Sequence, residues 1–102
     1  MANETTYFGE ELKYRVDIQA DGFDMDENDY EIELSCGSKR KTITKSDILR
    51  DIDGNHYIAI DTADFKRGDL YATVYAYVPD DDFPDGLRTE MDKKRLTTII
   101  AK

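Results

Sequence analysis

Residues 70–78 read LYATVYAYV and carry the clearest period in the chain, because small or aliphatic residues alternate with tyrosine and threonine. Successive side chains of a β-strand point to opposite faces, so this alternation predicts a strand with one aliphatic face. The aliphatic positions are Leu70, Ala72, Val74, Ala76 and Val78. On the other face, tyrosine tolerates both apolar packing and water, and it is enriched in binding surfaces. We therefore expect Tyr71, Tyr75 and Tyr77 either to face a protein partner or to lie under loops and long side chains of neighbouring strands.

The same two-residue period extends to both sides of this segment. Residues 12–18 and 30–36 each alternate apolar residues with charged or small polar ones, which predicts two half-buried strands. Residues 57–60 form an apolar run after the turn signal Asp53-Gly54, so we expect a hairpin turn there and then a buried strand.

Two charged segments interrupt this pattern. The basic triplet at residues 39–41 is predicted to be a turn or loop. Residues 92–95 (DKKR) separate a strand at residues 88–91 from one at residues 96–100, or interrupt a single strand.

Helical periodicity is absent, and short strands alternate with turn signals every eight to twelve residues. The sequence therefore predicts an all-β fold: a single Ig-like antiparallel β-sandwich of about seven strands that spans residues 1–102. Its predicted core contains Leu12, Val16, Ile18, Ile32, Leu34, Ile60, Val74 and Val78.

The charge balance argues against two classes of partner. The chain has 14 Lys and Arg residues against 23 Asp and Glu residues, a net charge of −9. Phosphate backbones and anionic lipid surfaces repel such a chain, so we expect no nucleic-acid binding and no membrane insertion. The first residues carry neither a basic start nor an apolar core, which predicts no signal peptide and synthesis in the cytoplasm.

Few residues could catalyse a reaction. The only cysteine, Cys36, falls on the apolar side of its predicted strand, which indicates a buried and inert thiol. The only histidine, His56, lies beside a turn and is expected to be solvated, with no apparent partner for nucleophilic catalysis. One histidine and one cysteine cannot supply four zinc ligands. We therefore expect neither enzymatic activity nor a cofactor.

Residues 79–86 (PDDDFPDG) are predicted to form a rigid acidic loop. Its aromatic residue, Phe83, either contacts a partner or folds back to close the loop. Asp80, Asp82 and Asp85 could together bind calcium, which prefers carboxylate oxygens, or they could simply be hydrated. An alternative function follows if the tyrosines bind a sugar and this loop binds the metal. The chain would then be a cell-surface adhesion module that binds carbohydrate or calcium.

Three segments resemble a known group of proteins: residues 61–68 (DTADFKRG), 76–80 (AYVPD) and 82–90 (DFPDGLRTE). They are similar to segments of short, uncharacterised proteins encoded by Bacteroides-group prophages and crAss-like phages. More loosely, the chain resembles the immunoglobulin-like N-terminal domains of phage baseplate and fibre proteins. It departs from the tyrosine corner of true immunoglobulin domains, because Leu70 stands two residues after the glycine and Tyr71 follows one residue later.

This resemblance implies an Ig-like phage virion accessory protein without catalytic residues. Its expected role is attachment or assembly at the capsid, tail, baseplate or fibre. The expected partners are other virion proteins or copies of the same chain, with several copies on one particle. The expected location is the virion, after synthesis in the host cytoplasm.

Overall fold

A computed structural model describes residues 4–101, and this part of the chain contains strands, turns and two single-turn 3-10 helices. The strands are β1 (Thr5–Tyr7), β2 (Glu11–Val16), β3 (Tyr30–Cys36), β4 (Lys39–Thr44), β5 (Leu49–Arg50), β6 (His56–Asp61), β7 (Gly68–Pro79) and β8 (Leu87–Ile100). The 3-10 helices span Lys45–Asp47 and Thr62–Asp64. Residues 4–101 contain no α-helix, so the predicted all-β class is confirmed, with eight strands instead of about seven.

The strands form two sheets that pack as a sandwich. One sheet has five strands in the order β1-β8-β7-β3-β4, and the other has three in the order β2-β6-β5. Paired strands are antiparallel except β1, which runs parallel to the end of β8. The prediction of a wholly antiparallel sandwich is therefore wrong for this one pair.

The core lies between the sheets and contains most of the residues predicted for it. Five of these are buried: Val16, Ile32, Leu34, Ile60 and Val78. The other three, Leu12, Ile18 and Val74, are partly buried and pack against the same cluster. The thiol of Cys36 is fully buried and donates a hydrogen bond to the carbonyl oxygen of Lys66 at 3.1 Å, which confirms its predicted place in the core.

Both charged segments that were predicted to interrupt strands lie within strands instead. Lys39, Arg40 and Lys41 begin β4, and residues 92–95 lie inside β8. All of β7 pairs with β8, with one irregularity between Leu70 and Tyr71. Backbone hydrogen bonds hold these segments while most of their side chains are exposed, so they do not need the apolar period that side-chain burial imposes.

Candidate functional site

The tyrosine side of β7 belongs to the outer face of the five-stranded sheet, which is turned away from the three-stranded sheet. The aliphatic side of β7 is buried, most completely at Leu70 and Val78. The opposite side carries Tyr71, Tyr75 and Tyr77, which are all half-buried. The isolated chain therefore leaves part of each tyrosine open to solvent.

The register of the sheet places residues of β3 and β8 beside these tyrosines. Antiparallel partners share a face, so Tyr75 lies between Glu31 on β3 and Met91 on β8. One end of the row is more basic, because Tyr71 pairs with Arg95.

Long side chains of the neighbouring strands cover two of the tyrosines in part. The hydroxyl of Tyr77 donates a hydrogen bond to the carboxylate of Glu31. This hydrogen bond, and partial burial after it, raise the pKa of Tyr77 from 10.0 to about 12. The ammonium of Lys93 lies 4.9 Å from the ring centroid of Tyr71, within the range of a cation–π interaction.

The β7–β8 hairpin extends this face past the tyrosines towards the turn. Pro79 pairs with Leu87 and Tyr77 with Thr89, so these residues lie on the same side as Tyr75 and Met91. Met91 is 64% exposed and Leu87 is 41% exposed. We call the surface formed by these six residues the arm face: Tyr75, Tyr77, Pro79, Leu87, Thr89 and Met91.

Of the arm face, the sequence predicted Tyr75 and Tyr77 as partner-facing residues but neither Leu87 nor Met91. Phe83 is 44% exposed in the turn between the two strands. The sequence places Met91 in a predicted strand, but it does not show that this strand pairs with residues 70–78 and so brings Met91 beside Tyr75. The spacing of Leu87, Thr89 and Met91 follows the two-residue period, and it is the signal that could have revealed them.

The acidic turn is held by its own hydrogen bonds. Asp80 accepts one from the backbone N–H of Asp82 at 3.0 Å and one from Arg88 at 2.5 Å. These two bonds lower the pKa of Asp80, the backbone donor contributing most. Asp85 accepts a hydrogen bond from the N–H of Leu87 at 3.2 Å, and it is exposed like Asp82.

The predicted calcium ligands therefore have other roles in the turn. Asp80 is occupied by Arg88, while Asp82 and Asp85 point their exposed carboxylates to solvent or to the turn backbone. Within residues 4–101, no three His, Cys, Asp or Glu side chains come together as a metal site. Calcium binding stays a prediction, without a ligand cluster in the described part of the chain.

His56 is not solvated as the sequence suggested, because it is only 4% exposed. Its Nδ1 lies 2.7 Å from the hydroxyl of Tyr30, and its Nε2 lies 3.1 Å from a carboxylate oxygen of Asp26. Arg50 binds the same oxygen of Asp26 at 2.8 Å. This cluster is not evident from the sequence, because Tyr30, Arg50 and His56 lie on three different strands and Asp26 lies in the segment before β3.

In this tyrosine–histidine–aspartate chain the tyrosine and the histidine are buried, whereas the Asp26 carboxylate is exposed. Burial raises the pKa of Tyr30 to about 12, outweighing the effect of the nearby Arg50 guanidinium, and Tyr30 is only 1% exposed. The hydrogen bond from His56 is the main reason that the pKa of Asp26 is lowered. The cluster therefore ties the segment around Asp26 to β3 and β6, a structural role.

A groove lies between β2 and the inner side of β8, where the two sheets do not fully cover each other. Its floor includes Val16, Val74 and Leu96, and Asp92 and Lys94 lie on its β8 side. Its volume of about 230 Å³ is below the roughly 300–1,000 Å³ that small-molecule pockets usually have. Two other depressions, beside Leu49 and beside Phe65, have volumes of about 350 and 430 Å³. We take the arm face as the candidate functional surface because its exposed apolar residues are grouped with tyrosines on one hairpin.

Comparison with protein-family models, curated proteins and solved structures finds no match to this chain. Within residues 4–101 there is also no helix with the length and apolar content that crossing a membrane requires.

Proposed function

We propose that this chain is a non-enzymatic interaction module of a phage particle, and that it binds other virion proteins or copies of itself through the arm face. The observation that carries the proposal is the exposure of Met91 and Leu87 beside half-buried tyrosines on one continuous sheet surface. Contiguous apolar patches on a soluble protein commonly mark a contact surface.

The composition of the arm face supports binding to protein. Methionine and tyrosine are enriched in protein–protein interfaces, and they bury large areas when a partner covers them. The face lies on two long strands that pair along the whole of β7, so it is held rigid before binding. A surface that is already ordered loses less conformational entropy when it binds.

The phage particle enters the proposal through the resemblance of residues 61–68, 76–80 and 82–90 to short phage-encoded proteins. The Ig-like type of the sandwich is part of the same proposal, supported by eight strands in two sheets. Repeated copies on a particle would each present the same arm face.

The proposal is tested by changing the arm face and measuring incorporation into particles. We expect Met91→Glu and Tyr75→Ser to lower the amount of this chain in purified particles at least about tenfold, because a buried charge or a lost aromatic contact weakens an interface strongly. Quantitative mass spectrometry against the main capsid protein gives the measurement.

Tyr57→Ser provides the matched control, since Tyr57 is also half-buried but lies on β6 in the other sheet. This variant should enter particles at the wild-type level. The proposal is wrong if the wild-type chain is absent from purified particles, or if the folded Met91→Glu variant is incorporated as well as the wild type.

A further inference from the structure

The outer face around the arm face has opposite charges at its two ends. At one end, Lys93 and Arg95 form no ion pair with a carboxylate of residues 4–101. At the other end lie three exposed carboxylates of the turn, those of Asp81, Asp82 and Asp85. None of them forms an ion pair with a lysine, arginine or histidine of residues 4–101. The apolar residues of the arm face lie between the two sets of unpaired charges.

These charges lie on either side of the middle of the arm face. Tyr77 and Thr89 are paired there. A strand rises about 3.4 Å per residue, so Lys93, four residues from Thr89 along β8, lies about 13 Å from it. Asp85 lies in the other direction, in the turn just before β8 begins at Leu87. A twofold axis above Tyr77 and Thr89, parallel to the plane of the sheet and perpendicular to the strands, would place the basic end of one copy over the acidic end of another.

We propose that the arm face binds a second copy of this chain, face to face and antiparallel, about this twofold axis. Lys93 then lies opposite Asp85 of the second copy, and Met91 lies opposite its Leu87. Both contacts occur twice, as an interface between two identical surfaces requires. The inference rests on the proposed function, because it identifies the partner of the same face.

Charge complementarity favours a second copy over an unrelated partner. Each end of the face finds its opposite charge in the other copy, and Met91 and Leu87, both largely exposed in the isolated chain, cover each other. The net charge of −9 repels at long range. At physiological ionic strength the screening length is about 8 Å, so local pairs decide the contact more than the net charge does.

Analytical ultracentrifugation of the full chain over micromolar to millimolar concentrations tests the inference. We expect the wild-type chain to pass from monomer to dimer as its concentration rises. Lys93→Asp and Asp85→Lys should each weaken the dimer about tenfold or more, since each turns two symmetry-related attractions into repulsions. The double variant Lys93→Asp/Asp85→Lys should regain the wild-type Kd.

Recovery in the double variant would report contact between copies. Within one chain Lys93 and Asp85 are eight residues apart along a strand and its turn, more than about 20 Å, so they cannot pair with each other. Lys94→Asp is the matched control, because Lys94 pairs with Ala72 and so lies on the opposite side of β8 from Lys93. Circular dichroism shows whether each variant is folded.

The inference is overturned if the wild type stays monomeric throughout, or if Lys93→Asp dimerises as well as the wild type. It is also overturned if the folded double variant fails to recover, or if Lys94→Asp weakens the dimer as much as Lys93→Asp. A monomeric wild type whose Met91→Glu variant is excluded from particles would overturn this inference while the proposed function stands. A dimer with the expected charge dependence, combined with normal incorporation of Met91→Glu, would contradict the proposed function alone.

Discussion

The outer faces of the two sheets differ although both are turned towards solvent. On the three-stranded sheet, β2 presents Glu11, Lys13 and Arg15, opposite Asp61, Ala59 and Tyr57 of β6. Both faces place a lysine above a tyrosine: Lys13 lies 4.6 Å from the ring centroid of Tyr57, and Lys93 lies 4.9 Å from that of Tyr71. A lysine over an aromatic ring is therefore a shared way to cover one exposed tyrosine.

The five-stranded sheet goes beyond this arrangement. It adds Tyr75, Tyr77, Leu87 and Met91, of which Leu87 is 41% exposed and Met91 is 64% exposed. The three-stranded face is charged along β2, as expected for the solvent side of a sandwich, and it carries one exposed leucine, Leu49 of β5, which pairs with Tyr57 and is 47% exposed. The two faces therefore differ in how their exposed apolar residues are grouped: Leu87 and Met91 share one hairpin face with Tyr75 and Tyr77, whereas Leu49 is a single exposed leucine. Such a group is the more typical mark of a contact surface.

The comparison of the two outer faces assumes that both sheets pack on one hydrophobic core. The substitution with the largest predicted effect tests this assumption. Leu34 is 1% exposed within the core cluster. Leu34→Ala should lower the free energy of unfolding by about 2–5 kcal/mol, since it removes buried methyl groups and leaves a cavity. Urea denaturation followed by circular dichroism gives the value.

Leu87→Ala is the control for this change, because Leu87 is 41% exposed, and it should cost under about 1 kcal/mol. Amide exchange should show β6 and β7 losing protection together in Leu34→Ala. Separate unfolding of the two sheets would break the comparison, since the two faces would then belong to independent units.

A second, smaller effect comes from the hydrogen bond that joins the sheets, between Tyr30 on β3 and His56 on β6. Tyr30→Phe should cost about 1–3 kcal/mol at pH 7, because a buried imidazole nitrogen loses its partner. The pKa of Tyr30 is raised from 10.0 to about 12 in the folded chain. The hydroxyl therefore loses its proton at a lower pH in the unfolded chain than in the folded chain. Its contribution to the free energy of unfolding is complete below about pH 10 and is lost as the pH rises from about 10 to about 12.

Urea denaturation at a series of pH values from 7 to 12 measures this loss. Tyr30→Phe should weaken the decline in stability above pH 10. Tyr77→Phe, which removes a more exposed hydroxyl on the outer face, should change the value at pH 7 less than Tyr30→Phe does. If both substitutions lowered the free energy of unfolding equally at pH 7, the hydrogen bond between the sheets would stabilise the fold no more than a more exposed one does.

The smallest predicted effect comes from removing the lysine above a tyrosine on each of the two outer faces. Lys93→Gln and Lys13→Gln each remove a cation from above a tyrosine, so each should cost about 0.5–1 kcal/mol or less in thermal unfolding. The two costs should be similar, while only Lys93→Gln should weaken association of the chain. Equal loss of association in both variants would contradict the assignment of the interface to one face.

The fold was predictable wherever one face of a strand is buried. The alternation of residues 70–78 and 30–36 predicted β7 and β3, because burial of every second side chain imposes a two-residue period. Lys39 and Lys93 lie in strands without this signal, since backbone pairing holds them and their side chains meet water on exposed surfaces. Charged exposed strands therefore resemble loops in sequence.

The candidate site was likewise predictable only where its residues stand in a strand with a clear two-residue period. Its tyrosines stand in a segment with a clear period, whereas Met91 depends on the register between β7 and β8, which residues 92–95 obscured. The burial of His56 could not be inferred either, because Tyr30 and Asp26 lie 26 and 30 residues away in the chain. Such contacts follow from tertiary packing, on which local sequence gives no information.

The burial of Cys36 has a practical consequence for labelling. It is the only cysteine of the chain, and its side chain is fully enclosed and hydrogen-bonded. A cysteine introduced at Ala59, exposed on β6 and outside the arm face, would thus be the one thiol that maleimide reagents readily reach in the folded chain. A spin label attached there could serve as a molecular ruler without any alteration of the native thiol.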